Sequence, residues 1–204
     1  MKTLLIAVAT LATSVSVVAM GEEHLRDMEP TGRPVVDFAR TQVSSWQAVN
    51  DGVMGGLSQS QLSGTDAGTA IFMGVVSLEN NGGFASVRMS LDEADLSEYD
   101  ELAVRVLGDG KRYRLRLRSE DRSDAVAYQA TFDTAGDVWQ VAEIPFASFL
   151  PTYRGRTPRD APPLDISKIR QIGFMIADKQ EGRFRLEIAW VQTRKAASGG
   201  EGDP

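Results

Sequence analysis

The sequence predicts an all-β protein built from two packed sheets, and three observations support this prediction. Apolar and polar residues alternate with a period of two through most of the chain, turn-forming residues recur at short intervals, and only residues 92–99 have a weakly helical spacing. With 204 residues, of which 42% are hydrophobic, the chain is long enough to bury the core of one domain without metal or disulfide crosslinks.

Nine strands are predicted from the alternation, and nine strands imply two sheets packed face to face. In chain order they cover residues 58–63, 70–78, 84–91, 101–107, 113–119, 126–132, 139–144, 169–176 and 183–192. The last strand alternates apolar with charged residues, which predicts one buried face, shared by Phe184, Leu186, Ile188 and Trp190, and one wet face.

Two connections between these strands have distinct sequence signals. Gly108-Asp109-Gly110 contains residues that tolerate a positive φ, which predicts a tight hairpin between strands 101–107 and 113–119. Residues 150–168 contain four of the eight prolines and show no period, which predicts a long loop across one end of the sandwich.

The two ends of the chain differ from the alternating part. Lys2 precedes an uncharged apolar run of 16 residues from Leu4 to Ala19, which is typical of a signal peptide and shorter than the roughly 20 residues that span a bilayer. We therefore predict a signal peptide at 1–19, polar tails at 20–34 and 195–204, and a sandwich domain at 35–194. The mature protein would be exported, to the periplasm or outside the cell, and would have no integral membrane segment.

Composition excludes several functions. The absence of cysteine excludes disulfides, thiolate zinc sites and cysteine nucleophiles, and the net charge of −6 argues against a nucleic-acid partner. The one histidine, His24, lies in the predicted tail, so a Ser-His-acid triad is not expected. We predict a non-enzymatic protein without cofactor or metal; a glycan-processing enzyme, which needs two acids in one cleft, is the weaker alternative.

The glycine cluster NDGVMGGLSQS, residues 50–60, could cradle a phosphate or could only allow turns. A phosphate loop needs a helix start and usually a lysine after the glycines, whereas Leu57 and an alternating strand follow here. Turns are therefore favoured. We expect this cluster and the second one, Gly82-Gly83, in neighbouring loops at one end of the sandwich, and Gly56→Val to destabilise the fold if the φ of Gly56 is positive.

Four polar residues beside these glycines are candidate binding residues: Asn50, Asp51, Glu79 and Asn80. Their oxygens are of the kind that a hard cation such as calcium takes, but their spacing is not that of a calcium loop. Hydrogen bonding within the turns is the favoured interpretation.

A stripe of arginines supplies the other candidate binding residues: Arg112, Arg114, Arg116 and Arg118. These alternate with three apolar residues, so all four guanidinium groups are expected on one face of a strand. Such a stripe is either a solvated face with paired charges or a surface for an acidic partner or a carboxylate-bearing glycan. Arg183 and Arg185 would widen it if their strand joined the same sheet.

The three tryptophans could stack on sugar rings, but a place in the core is favoured for each. If one of them faces a ligand, Trp46 or Trp139 is the candidate, because Trp190 follows the apolar alternation of its strand.

Five stretches, in this order, carry a resemblance to a known family: VNDGVMGGLSQS, FMGVVSLENNGGFASVR, LGDGKRYRLRLR, VWQVAEIPFASF, and QIGFMIA with GRFRLEIAWV. Over about residues 36–193 the chain resembles the complex I intermediate-associated proteins. The resemblance implies a jelly-roll β-sandwich similar to galactose-binding modules and a non-catalytic role in assembling respiratory complex I. We therefore expect an exported binding module that acts through an unidentified protein partner as an assembly or stability factor. A carbohydrate-binding module of the cell envelope, with a glycan as ligand, is the alternative.

Overall fold

The computed structural model describes residues 32–120 and 126–195, which form a sandwich of two antiparallel sheets. The all-β sandwich predicted from the sequence is therefore confirmed. The predicted signal peptide at 1–19, the tail up to residue 31, which includes His24, and residues 196–204 lie outside the described residues. The division of the chain into signal peptide, tails and domain stays a prediction.

Twelve strands are present in the described part of the chain, and five single-turn 3-10 segments connect some of them. In chain order the strands are β1 (Pro34–Asp37), β2 (Gln47–Ala48), β3 (Gln59–Gly64), β4 (Ala70–Val76), β5 (Ala85–Ala94), β6 (Glu101–Leu107), β7 (Arg112–Arg118), β8 (Ala127–Asp133), β9 (Trp139–Pro145), β10 (Leu150–Thr152), β11 (Ile169–Ile176) and β12 (Gly182–Arg194). The 3-10 segments are Val43–Ser45, Asp51–Met54, Glu79–Asn81, Phe146–Ser148 and Ile166–Lys168.

Each sheet contains six strands. Sheet A has the order β3-β4-β12-β6-β9, and β1 also pairs with β12; sheet B has the order β10-β8-β7-β11-β5-β2. Buried apolar side chains from the inner faces of both sheets form the main core, among them Phe72, Leu102, Tyr113 and Phe174. The outer face of sheet B lies on the opposite side of that sheet from this core.

The nine predicted strands correspond to β3–β9, β11 and β12, and three short strands were not predicted. β1, β2 and β10 have four residues or fewer, too short to show an alternation. β10 falls in the predicted loop at 150–168. The weak helix at 92–99 is wrong, because β5 continues to Ala94 and pairs there with Ile169 of β11.

The hairpin predicted at Gly108-Asp109-Gly110 is also wrong, because this turn crosses from one sheet to the other. β6 pairs with β12 and β9 in sheet A, whereas β7 pairs with β11 and β8 in sheet B. The Asp109 carboxylate fixes the crossing: it accepts hydrogen bonds from the Tyr113 hydroxyl and from the Arg185 backbone N–H, each at 2.9 Å. One carboxylate therefore ties the turn to both sheets.

A β-bulge in β12 changes the face on which Trp190 lies. The register with β6 shifts between Ile188 and Trp190, so that Trp190 packs with Ala103 and Ala189 in a small cluster on the outer face of sheet A. The prediction that Trp190 shares the inner face with Ile188 is therefore wrong, although Trp190 is buried. A residue inserted into one strand reverses the alternation beyond it.

The other two tryptophans also lie away from the outer face of sheet B. Trp46 is buried against Phe38 and Phe174, with ring centroids 5.5 and 5.9 Å away. Trp139 is partly buried against the small outer cluster of sheet A, and the Arg105 guanidinium lies 4.7 Å above its ring. Within residues 32–120 and 126–195, no helical segment has the length and apolar character that crossing a bilayer requires.

Candidate functional site: an arginine-lined cleft over sheet B

Strand pairing brings side chains from four strands of sheet B into one row on its outer face. Gly173 of β11 lies opposite both Arg88 of β5 and Arg116 of β7, and Arg116 lies opposite Gln129 of β8. Residues directly opposite in an antiparallel sheet point to the same face. The two flanking rows contain Ser86, Met175, Arg114 and Thr131 on one side and Ser90, Gln171 and Arg118 on the other.

A cleft of about 700 Å³ lies over these rows. Its walls include Val53 and Met54 from the first glycine cluster and Tyr153 from the chain after β10. Five arginines line it, and none of its described lining residues is an aspartate or glutamate; the arginines are Arg88, Arg114, Arg116, Arg118 and Arg154. The cleft is therefore strongly cationic in a chain whose net charge is −6.

Arg116 lies at the centre of the cleft floor and has no hydrogen-bond or ion-pair partner among the described residues. Its Nε is buried and unpaired. Burial, together with the like charges of Arg118, Arg114 and Arg88, lowers the pKa of Arg116 to about 10. The guanidinium is still charged at neutral pH, so a partly buried positive charge without a counter-ion stands at the middle of the cleft.

Gly173 keeps the floor open between Arg88 and Arg116. A Cβ at this position would lie 2.6 Å from the Val87 carbonyl oxygen and 3.2 Å from the Arg88 Cβ, so a side chain does not fit without a shift of the backbone. The two guanidinium groups therefore flank a position with no side chain.

The arginine stripe divides between two environments. Arg114, Arg116 and Arg118 line the cleft. Arg112 lies outside the lining and binds Asp133 with both ends of its fork, at 2.8 and 3.3 Å, on the exposed surface. Arg114 forms an ion pair with Asp178 at the edge of the cleft. The interpretation as a solvated, paired face thus applies to Arg112 and only in part to the rest.

The expected widening of the stripe by Arg183 and Arg185 is wrong, because β12 belongs to sheet A. Arg88 widens it instead, and sequence reasoning did not select Arg88. The alternation in β5 did place Arg88 on a polar face, but only the insertion of β11 between β5 and β7 brings that face beside the stripe.

Asp51 is fully buried and joins the two glycine clusters. Its carboxylate accepts hydrogen bonds from the backbone N–H groups of Ser58, Gly83 and Phe84 at 2.9, 2.7 and 3.2 Å, and from the Ser58 hydroxyl at 2.5 Å. Burial alone would raise the pKa of Asp51, but these hydrogen bonds outweigh it and lower the pKa. The prediction that the two clusters lie in neighbouring loops is confirmed.

The glycines around Asp51 are required for space more than for backbone freedom. Gly55 has a φ of 91°, whereas Gly56 is not in the left-handed region, so strain from a positive φ does not apply to Gly56→Val. A Cβ on Gly56 would instead lie 2.4 Å from the Asp51 Cγ, and one on Gly82 would lie 2.7 Å from the Asp51 Oδ2. Both glycines therefore make room for the carboxylate.

The other polar candidates of the glycine loops do not line the cleft. The Asn50 Oδ1 accepts hydrogen bonds from the Ser60 hydroxyl at 2.7 Å and the Ser86 N–H at 3.1 Å. Glu79 and Asn80 are exposed in a 3-10 turn. Across the described ranges, no three His, Cys, Asp or Glu side chains are grouped to hold a metal. The first cluster therefore serves to fix the wall that carries Val53 and Met54.

Replacement of Arg116 by methionine is expected to raise the free energy of unfolding by about 1 kcal/mol, because it removes a charge that burial and like charges disfavour. Urea unfolding of the two proteins measures the difference. Arg183→Met, on the exposed surface of sheet A, is the matched control and should change stability by less than about 0.5 kcal/mol. A clear loss of stability in Arg116→Met would mean that this charge is compensated in the free protein.

Solved structures with a similar fold define the class of this protein as a galactose-binding-like β-sandwich. One is the family 11 carbohydrate-binding module of the cellulase Lic26A-Cel5E of Clostridium thermocellum, with a TM-score of 0.64 and 17% identity over 85% of this chain and 99% of that one. Another is the agarase AgWH50C, with a TM-score of 0.56 and 11% identity over 82% of this chain and 25% of that one. At these identities the likeness concerns the fold alone.

Sequence comparison identifies the family. The sequence model of complex I intermediate-associated protein 30 matches residues 36–188, so the chain belongs to this family, as the motifs indicated. The mitochondrial protein of this name from Mus musculus is 26% identical over 200 residues and that from Drosophila melanogaster 27% over 180, covering 82% and 77% of this chain. The chain matches about 60% of the length of these relatives.

The predicted export of the protein is contradicted by these relatives. The proteins from Mus musculus, Drosophila melanogaster and Caenorhabditis elegans are each named as mitochondrial, the last as a probable member. The relatives therefore point to the mitochondrion rather than to the periplasm or the extracellular space. An apolar, weakly charged N-terminal run was not sufficient to distinguish these destinations.

Proposed function

We propose that the protein is a non-catalytic binding domain that holds a partner protein in the cleft over sheet B and so acts in the assembly of a respiratory complex. The observation that carries this proposal is the mixed surface of the cleft, where arginines and exposed apolar side chains stand together. The names of the relatives, which refer to an intermediate of complex I, supply the biological context.

The composition of the cleft favours a protein as the partner. Val53 and Met54 are 77% and 60% exposed, and Tyr153 is 38% exposed at the same cleft. Methionine, tyrosine and arginine are enriched in protein interfaces relative to the rest of protein surfaces. An apolar wall beside a cationic floor offers both burial of apolar area and charge complementarity.

A carbohydrate ligand is the weaker alternative. The amide side chains of Gln129 and Gln171 line the cleft and could bind sugar hydroxyls. However, none of the described lining residues is a tryptophan, and the ring of Tyr153 already lies under the Arg154 guanidinium, at 5.3 Å. Glycoside hydrolysis has less support still, because the described lining offers no carboxylate pair.

The double variant Arg114→Gln/Arg116→Gln is expected to lose most of the bound partner while its stability stays within about 1 kcal/mol of the wild type. The measurement is affinity purification of tagged protein from the native host, with the co-purifying proteins quantified by mass spectrometry and complex I assembly followed on native gels. Arg183→Gln/Arg185→Gln, which removes the same charge from the outer face of sheet A, is the matched control.

Two results would count against this proposal. If the cleft variant retains the partner at the wild-type level while the sheet A variant loses it, the interface lies on the other sheet. If no subunit or assembly protein of complex I co-purifies with the wild type, the assembly role is wrong.

A further inference from the structure

The centre of the cleft floor has the geometry of an anion site. Arg88 and Arg116 both pair with Gly173, so their Cα atoms are two strand spacings apart, about 10 Å. Neither guanidinium forms a hydrogen bond or ion pair with a residue of the described ranges, and both line the same cleft. Long side chains from both sides can therefore converge on a group placed above Gly173.

The charge at this position is not compensated within the cleft. Asp178 pairs with Arg114 at the edge, so the stripe is neutralised there and not at Arg116. A partly buried guanidinium with its Nε unpaired, surrounded by three others, costs free energy in the free protein. An anion bound above Gly173 would satisfy these donors and remove the repulsion.

We infer that the occupant of the cleft is an extended acidic segment of the partner protein, which places a carboxylate between Arg88 and Arg116 and packs apolar side chains against Val53 and Met54. This inference rests on the proposed function and specifies the partner's chemistry. A planar guanidinium matches a carboxylate through two parallel hydrogen bonds, and two guanidinium groups facing one gap favour this pairing.

The apolar lining distinguishes a peptide from other carriers of an anion. Met54 and Met175 are flexible and polarizable, and such methionines adapt to the side chains of a bound peptide. A carboxylated glycan would instead need a flat exposed ring for its sugars, and the one exposed tyrosine of the cleft is covered by Arg154. The shape and chemistry of the lining thus favour an acidic segment with apolar neighbours.

The experiment is selection from a random dodecapeptide library displayed on phage, with the wild-type protein and Arg116→Gln immobilised in parallel. We expect the wild type to enrich peptides that contain Asp or Glu beside apolar residues, and Arg116→Gln to lose this acidic consensus. A synthetic consensus peptide should bind Arg116→Gln at least about tenfold more weakly than the wild type, as for a lost charge-assisted pair. Its Glu→Gln or Asp→Asn version should lose affinity for the wild type by a similar factor.

Three further measurements exclude other sources of the same effect. Arg183→Gln should select and bind the same peptides as the wild type. Inorganic phosphate should displace the peptide no better than acetate at equal ionic strength. Polygalacturonate, a carboxylated polysaccharide, should bind more weakly than the peptide and without dependence on Arg116.

Several outcomes would overturn the inference. These are the absence of any enriched peptide, a consensus without an acid, equal binding of the acidic and amide peptides, displacement specific to phosphate, and Arg116-dependent binding of polygalacturonate. If the Arg114→Gln/Arg116→Gln variant loses the native partner while acidic and amide peptides bind alike, the proposed function holds and the acidic occupant is wrong. If that variant retains its partner, the proposed function itself fails.

Discussion

Asp51→Asn is expected to lower the free energy of unfolding by about 3 kcal/mol, the larger of two effects that we predict for the glycine loops. The carboxylate accepts three backbone N–H bonds and one hydroxyl bond at a fully buried position. An amide of the same shape has one oxygen fewer and presents its NH₂ to donors, so at least one buried N–H group is left without an acceptor. Urea unfolding at neutral pH measures the loss.

The same substitution should change the pH dependence of stability. The pKa of Asp51 is lowered in the folded protein from its ordinary value of 3.8, so the carboxylate stabilises the fold fully above about pH 5. This contribution is lost as the pH falls through the folded pKa, and the difference between wild type and variant should therefore shrink between about pH 4 and pH 2.

Asp95→Asn is the matched control for Asp51→Asn. Asp95 accepts hydrogen bonds from the N–H and the hydroxyl of Ser97, but on the exposed surface, where water can replace them. Its replacement should cost clearly less. Equal losses for the two variants would show that the buried bonds of Asp51 have no special weight.

Gly56→Ala is expected to cost about 2 to 3 kcal/mol, because the added methyl group has no space. Its Cβ would lie 2.4 Å from the Asp51 Cγ and 2.5 Å from the Oδ1, so the carboxylate or the loop must move and lose hydrogen bonds. Thermal or urea unfolding measures the loss. Since both substitutions disturb the same carboxylate, Gly56→Ala combined with Asp51→Asn should cost less than the sum of the two.

Gly52→Ala provides the control within the same cluster. A Cβ at Gly52 has no atom within 4 Å, so this variant should stay within about 0.5 kcal/mol of the wild type. If Gly52→Ala and Gly56→Ala destabilise the protein alike, loop flexibility in the unfolded state explains the effect, and the contact with Asp51 does not.

Sequence alternation predicted most strands because long strands with one buried face carry a strong signal. The runs that became β6 and β11 were bounded at the observed residues. The connection after β6 was mistaken because a Gly-Asp-Gly turn fits both a hairpin and a crossing between sheets. The choice depends on contacts distant in sequence, such as that of Asp109 with Arg185 of β12, 76 residues away.

The candidate site was predictable only where it lies on one strand. The stripe of β7 could be read from alternation, and three of its four arginines line the cleft. Arg88 and Gly173 could not be selected, because strand order decides that they lie beside Arg116. The burial of Asp51 was also beyond the sequence, since Asx turns on the surface have the same local pattern.

The central place of β12 in sheet A constrains when the fold can be completed during synthesis. β12 pairs with β1, β4 and β6, all of which precede it in the chain. Until Gly182–Arg194 has left the ribosome, the pair β3–β4 and the pair β6–β9 both carry an open edge that β12 will later cover. At ordinary rates of translation this interval is on the order of ten seconds. The nascent chain is therefore most exposed to aggregation, and most in need of a chaperone, just before its last described strand emerges.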